Sequence, residues 1–307
     1  EPCAALLHGP GASGAQAIGA RVVDCLAEPG TVGGLNVDML VRVGVAASPE
    51  HGTRCDDLLR HAEVAIATSP AGTAVAVYDP GHDPYRPELL SRVGEIRRGL
   101  AAGQFELFLQ PRIDLAAGRC VGAEALARWR HPAVGLMPPA EFIPLAERTG
   151  VIREITRWGI GEAIRLAAGW QAGGAPLDIA FNLSARDLWD AALPALVARH
   201  LREADLPAGR LTLEVTESAV MDQPDEARRV LEHLRALGIG LAIDDFGTGY
   251  SSLAYLKRLP LTELKIDRSF ITELARNAED QAIVRATIDL ARDLGLRTVA
   301  EGIEDAA

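Results

Sequence analysis

The chain has 307 residues, 48% of them hydrophobic, and a formal net charge of −11. The composition is that of a globular protein with a sizeable core, and the length has room for two domains. The acidic balance excludes sequence-independent binding to a nucleic acid polymer, which needs a broad basic footprint, and no apolar run approaches the roughly 18 residues of a membrane span.

The first third reads as a short α/β stretch. The spacing predicts a helix over Ser13 to Leu26 and strands over Asn36 to Ala46 and Thr73 to Tyr78. Between the strands, DDLLRHAEVAIA has helical spacing from Asp56, with an aspartate cap at its start. The segment YDPGHDPYRP at 78–87 then breaks the pattern, because three prolines and a glycine continue neither a helix nor a central strand.

Beyond the break the pattern becomes repetitive. Residues 88–103 read as a helix, followed by the strand FELFLQPRI from Phe105. Aliphatic strands then alternate with amphipathic helices: VGAEALA, LDIAFNLS, LTLEVTES, GLAIDDFG, ELKIDRSF and RTVAEGIE. Two of the helices, ARRVLEHLRALG and ATIDLARDLG, end on Gly238 and Gly295, the residue type that supplies a left-handed turn back toward a sheet. This alternation predicts βα units and a parallel sheet.

The polar residues fall at informative places. Glu124, Asn182, Glu214, Asp244, Asp245, Lys265 and Glu301 all lie in or at the C-terminal end of a predicted strand. Their separations are close to one or two βα units of about 30 residues, eight of which close a barrel. They are therefore expected to converge on one barrel mouth. Taken singly, each has an ordinary explanation as a cap, a turn residue or half of an ion pair. Clustered carboxylates repel one another, however, and a divalent cation removes that conflict. Oxygen ligands without Cys or His select a hard ion such as Mg²⁺ or Mn²⁺, and adjacent aspartates suit a two-ion site for phosphate ester displacement.

Only two of the 31 basic residues are lysines, Lys257 and Lys265. Lys257 reads as surface. Lys265, in LKID, has two readings: an ion pair with Asp267, or an ammonium that orients an attacking water. Arg128, in EALARW, suits a phosphate oxygen or an exposed ion pair equally. GTGYSS, after the paired aspartates, reads as a gating loop. The cysteines Cys3, Cys25, Cys55 and Cys120 form no CxxC pair, so a reducing, cytoplasmic setting is expected. The chain opens on Glu1 and reads as a fragment of a longer protein, with room upstream for a membrane anchor or sensory domain.

The motifs LQPRIDL, EAL at 124–126, FIPLAERTGVI, NLS, EVTES, DDFGTGYSSL, LKID and AEGIE together resemble the EAL-domain family of cyclic di-GMP phosphodiesterases. The resemblance implies an α/β fold, a modified TIM (β/α) barrel, over residues 88–307. It implies hydrolysis of cyclic di-GMP to linear pGpG with two Mg²⁺ or Mn²⁺ ions. Carried over by motif, Glu124, Asn182, Glu214, Asp244, Asp245 and Glu301 resemble the metal ligands, and Lys265, Glu301 and Glu124 the catalytic set. Gln110 and Arg128 resemble substrate contacts, Glu217 the glutamate that anchors the DDFGTGYSS loop, and Asp267 and Glu304 further acidic site positions. The family link of that loop to dimerisation implies a homodimer.

Seven barrel strands are expected here, beginning at Phe105. The family continues beyond Ala307 with a helix, an eighth strand and a closing helix, so the barrel reads as C-terminally truncated. Residues 1–85 resemble the back half of a GGDEF (diguanylate cyclase) domain, through VRVGVAASPEHG, DDLLRHAEVAIA and VAVYD. There Glu1-Pro2-Cys3 stands where Asp/Glu-Glu-Phe is expected, and a proline cannot ligate a metal, so cyclase activity is expected to be lost. Two rivals remain: a non-catalytic cyclic di-GMP receptor, and a different metal-dependent barrel hydrolase.

Overall fold

Two units make up the chain, Glu1–Ser91 and Arg92–Ala307. The computed structural model describes residues 4–7, 9, 11–26, 30–32, 35–37, 41–70, 73–83, 87–247 and 253–303.

The first unit contains α1 (Gly11–Leu26), β1 (Gly30–Val32), β2 (Leu35–Val37), β3 (Val43–Val45), α2 (Cys55–Thr68) and β4 (Val75–Val77). The strand expected over Asn36 to Ala46 is instead two strands with different partners. β2 pairs with β1 in antiparallel fashion, and β3 pairs with β4 in parallel. The α2 helix crosses β3 at Gly44, where an added Cβ would sit 1.9 Å from the Ala62 carbonyl oxygen. The expected aspartate cap of α2 is not formed. Arg54 occupies the cap position without a side-chain bond, while Asp56 and Asp57 lie in the first turn, where the exposed N–H groups favour negative charge.

The helix α3 (Pro87–Ala101) runs over the boundary, and the second unit then contains β5 (Phe105–Asp114), β6 (Arg119–His131), β7 (Gly135–Met137), α4 (Pro139–Thr149) and α5 (Ile152–Ala172). It continues with β8 (Asp178–Asn182), α6 (Leu193–Glu203), β9 (Leu211–Thr216), α7 (Glu217–Asp222), α8 (Pro224–Ala236) and β10 (Gly240–Phe246). The remaining elements are α9 (Leu253–Leu256), β11 (Glu263–Ile266), α10 (Arg268–Ile271), α11 (Ala278–Asp293) and β12 (Arg297–Ala300). The strands form one curled sheet in the order β12-β11-β10-β9-β8-β6-β5, with β7 added to β6.

The expected seven strands are present along that path, and from β6 to β12 they are parallel. The first pair departs from the expected parallel sheet, because β5 and β6 are antiparallel. The reason is the connection. Asp114 Oδ1 accepts bonds from the amides of Ala116 and Ala117, and Gly118 follows with φ +59°. So tight a turn permits a hairpin but is too short for a parallel crossover. Gly238 and Gly295 do take up positive φ, +92° and +70°, just past α8 and α11.

Period-two alternation divides the sheet into two faces. The outer face carries Ile179, Phe181, Leu211, Leu213, Val215, Leu241, Ile243 and Leu264. These pack in one core with Ile160, Ala163 and Ile164 of α5, Val197 of α6 and Leu231 and Leu234 of α8. Closest approach comes at Gly159 of α5, where a Cβ would lie 2.3 Å from Phe181 Cζ. Covering the outer face with helices leaves the alternate residues of each strand on the inner face. No helix among the described residues is long and apolar enough to cross a membrane.

Candidate functional site

The inner face is where the polar residues meet. With Leu213 and Val215 turned into the core, Glu214 of β9 points inward; with Leu264 and Ile266 outward, so does Lys265 of β11. The same alternation turns Asn182, Asp244 and Glu124 inward from β8, β10 and β6. Lys265 Nζ lies 2.5 Å from Glu214 Oε2, 2.6 Å from Glu301 Oε1, and 3.1 Å from both Glu124 Oε2 and Asp244 Oδ2. Asn182 Nδ2 donates to Glu124 Oε1 at 2.7 Å, which leaves the amide carbonyl oxygen to face a cation. The ion pair with Asp267 that the sequence also allowed is not among the contacts of Lys265. Asp267 instead caps α10 by accepting from the Ser269 amide.

The electrostatics follow from burial. Loss of water works against the Lys265 charge, but the carboxylates of Glu214, Glu124, Asp244 and Glu301 outweigh it and push the ammonium well above the ordinary lysine range. Burial pushes the Glu214 carboxyl up, with Lys265 pulling it back and Glu124 and Asp244 raising it further. Glu301 is raised by burial against the pull of Lys265, and Asp245 by burial together with the charges of Asp244 and Asp267. Burial thus sets the direction for the three carboxyls and the neighbouring carboxylates set it for Lys265.

Two divalent cations would match what is left over. The four carboxylates on Lys265, with Asp245 beside them, carry one ammonium between them. Asp244, Asp245 and Glu301 each place a ligand oxygen within 4.8 Å of the others. Glu214 Oε1 is buried with no hydrogen-bond partner, its nearest guanidinium nitrogen standing off at 4.0 Å, so it has room to ligate a cation. An all-oxygen donor set fits a hard ion. Asp245 reaches this position through an uncommon backbone: its φ is +54°, at the point where the β10–β11 register slips.

The remaining expected residues lie around this cluster. Gln110 of β5 is the antiparallel register partner of Glu124, so both share a face. Arg128, four residues beyond Glu124 on β6, has its guanidinium 5.3 Å from the centre of the Phe108 ring and donates to the Ala127 carbonyl. It makes no contact with the carboxylate cluster. Glu217 is buried at the start of α7, and its Oε2 accepts from the Gly247 amide at 3.3 Å, at the root of the GTGYSS segment. Residues 248–252 of that loop, and Glu304, lie outside the described residues. Lys257 is exposed, as expected.

Two charged residues of the same interior escaped the sequence reading. Arg112 Nη2 lies 2.5 Å from Oε1 of the buried Glu263, and its Nη1 is 4.0 Å from Glu214 Oε1. Both sit inside quoted or adjacent motifs, LQPRIDL and ELKID. The period-two spacing of Glu263 to Lys265 was the available signal that Glu263 points inward.

A family model described as the EAL domain matches residues 93–307. The chain is 40% identical over 290 residues to the bifunctional diguanylate cyclase/cyclic di-GMP phosphodiesterase MucR of Pseudomonas aeruginosa, covering 94% of this chain and 42% of that protein. It is 42% identical over 293 residues to the cyclic di-GMP phosphodiesterase NbdA of the same organism, covering 92% of this chain and 37% of that protein. The chain thus spans less than half the length of these curated relatives. Among solved structures, the PaMucR phosphodiesterase in its c-di-GMP complex superposes with a TM-score of 0.66 at 48% identity, covering 71% of this chain and 87% of that one. With its motifs on the inner face of a curled α/β sheet and that match across the whole second unit, the chain belongs to the EAL domain family.

Proposed function

We propose that residues 88–307 hydrolyse cyclic di-GMP to linear pGpG with two divalent cations, Mg²⁺ or Mn²⁺. The observation that carries this reading is the buried Lys265 ammonium shared by Glu124, Glu214, Asp244 and Glu301. The names of MucR and NbdA support the choice of substrate.

Glu124, Asn182, Glu214, Asp244, Asp245 and Glu301 would hold the ions, which when bound neutralise phosphate charge and make an attacking water more acidic. Lys265, fixed by its carboxylates, orients that water for in-line attack. Arg128, on the same strand as Glu124, offers a guanidinium fork to a phosphate oxygen, and Gln110 contacts the substrate beside Glu124. Glu217 holds the loop after Asp245 at its root. Asp267 is assigned a further acidic site position, as is Glu304 by its motif alone.

The rest of the reading concerns setting. Residues 1–85 are a partial, degenerate GGDEF-like domain, a reading supported by the parallel β3–β4 pair packed with α2 and by the length of the match to MucR. The chain acts in the cytoplasm as a homodimer.

The decisive experiment measures cyclic di-GMP turnover with Mn²⁺ or Mg²⁺, with a chelator control and binding in parallel. Metal-dependent pGpG is expected, and Glu124→Ala abolishes it. Binding without turnover would replace the enzyme with a receptor. Turnover of other phosphodiesters but not this one would replace the substrate.

A further inference from the structure

Glu263 sits two residues before Lys265 on β11, on the same inner face and about 6.6 Å lower along the strand. It is only 1% exposed, so its charge must be compensated from within the protein. Arg112 does this from β5, at one edge of the sheet, by reaching across the interior to β11, next to the other edge. Arg297 Nη2 of β12 approaches the second oxygen of Glu263 at 3.4 Å.

Arg112 is therefore poised between two buried carboxylates. Nη2 is bonded to Glu263 at 2.5 Å, while Nη1 stops 4.0 Å from Glu214 Oε1, the oxygen that has no hydrogen-bond partner. A guanidinium presents its N–H groups as a rigid fork and pairs readily with both oxygens of one carboxylate. If Glu263 did not hold it, a short swing would put Arg112 onto Glu214. Glu214 already gives Oε2 to Lys265. Giving Oε1 to Arg112 would commit both oxygens and set a fixed positive charge against an incoming cation.

We propose that Glu263 is a positioning residue that restrains Arg112, so that Glu214 keeps one uncommitted oxygen for a divalent cation. This rests on the metal-binding reading of the site. It predicts opposite outcomes for the two partners of one ion pair. Removing Glu263 releases Arg112 onto Glu214, whereas removing Arg112 leaves Glu214 free.

The test is Mn²⁺ binding to the whole chain, read by electron paramagnetic resonance of the free ion, with no substrate present. Glu263→Met is expected to weaken Mn²⁺ affinity about tenfold, the scale on which residues supporting metal ligands act. Arg112→Met is expected to bind at least as tightly as the unsubstituted chain. The double variant Arg112→Met/Glu263→Met is expected to return to within about twofold, because an apolar pair replaces a buried ionic one without leaving a charge behind. A double variant that binds as weakly as Glu263→Met would overturn the proposal, because no guanidinium is then left to reach Glu214. Weaker binding by Arg112→Met would overturn it too, and that arm decides the matter if Glu263→Met does not fold by circular dichroism. Unchanged binding by a folded Glu263→Met sinks this inference alone. Failure of the unsubstituted chain to bind Mn²⁺ sinks both this inference and the proposed function.

Discussion

Lys265 Nζ stands 2.5 Å from Glu214 Oε2 with both side chains shut away from solvent. A buried ammonium of this kind cannot be removed without consequence. Breaking a buried ion pair from one side costs about 3–5 kcal/mol, since the partner charges are left behind. Lys265→Met is expected to lower the Tm in chelator, and added Mn²⁺ to raise the variant's Tm by more than it raises that of the unsubstituted chain. Calorimetry with and without MnCl₂ measures both. Equal metal-induced shifts in the two proteins would show that the ammonium and the cation do not answer the same charge. Turnover should fall by about 10²–10⁴-fold if Lys265 orients the attacking water.

Asp187, just past β8, has a carboxyl pushed up to about 6 by burial, against hydrogen bonds from Thr156 and the Ser184 amide. In the unfolded chain it loses its proton near the ordinary aspartate value of about 3.9. Between those two values the folded form holds a proton that the unfolded form has lost. The stabilisation is therefore greatest below about pH 4, falls as pH rises to about 6, and stays low above that. Asp187→Asn keeps an acceptor for Thr156 and removes the titration. It should gain up to about 3 kcal/mol over the parent at pH 7.5 and nothing at pH 3.5, by denaturant melts at the two pH values. A gain independent of pH would show that the carboxyl is not held in its neutral form.

Gly159 and Phe181 set the seat of α5 on β8. Gly159→Ala drives a methyl to within 2.3 Å of the ring unless something shifts. Overpacking of this kind costs about 1–3 kcal/mol. The expected loss shows in the urea midpoint, and Phe181→Leu in the same chain should recover part of it. Additive losses in the double variant would mean that the contact is not the cause.

Glu217 holds the root of the GTGYSS segment through the Gly247 amide. Glu217→Ala should reduce kcat while leaving Mn²⁺ affinity within about twofold, because Glu217 is not among the proposed ligands and additivity holds for groups that share no partner. Glu217→Gln, which keeps an acceptor, should be milder. Loss of Mn²⁺ binding in Glu217→Ala would place this residue in the metal site itself.

What could be read from the sequence followed the periodicities. Strands with alternating aliphatic residues, helices ending at Gly238 and Gly295, and acids at strand ends together gave the expectation that Glu124, Asn182, Glu214, Asp244, Asp245, Lys265 and Glu301 converge on one barrel mouth. Spacing alone settled neither the partner of Lys265 nor that of Arg112. Lys265 had a local candidate in Asp267, but the sheet brought four distant carboxylates closer. The Arg112–Glu263 bond joins residues 151 apart in sequence, and no local pattern records a contact made by sheet curvature. The antiparallel β5 was legible only through the shortness of the DLAAGRC turn. The single strand expected over Asn36 to Ala46 was read from spacing, which does not reveal a change of pairing partner.

The left-handed backbone of Asp245 sets stability and activity against each other at a single position. Glycine adopts a φ of +54° freely, whereas a side-chain-bearing residue there gives up about 1 kcal/mol or more. A directed-evolution campaign selecting only for heat resistance would therefore drift toward Asp245→Gly and discard a carboxylate of the cluster in the process. Selection that alternates heat challenge with catalysis would keep the aspartate, and the chain would hold its turnover at the expense of a few degrees.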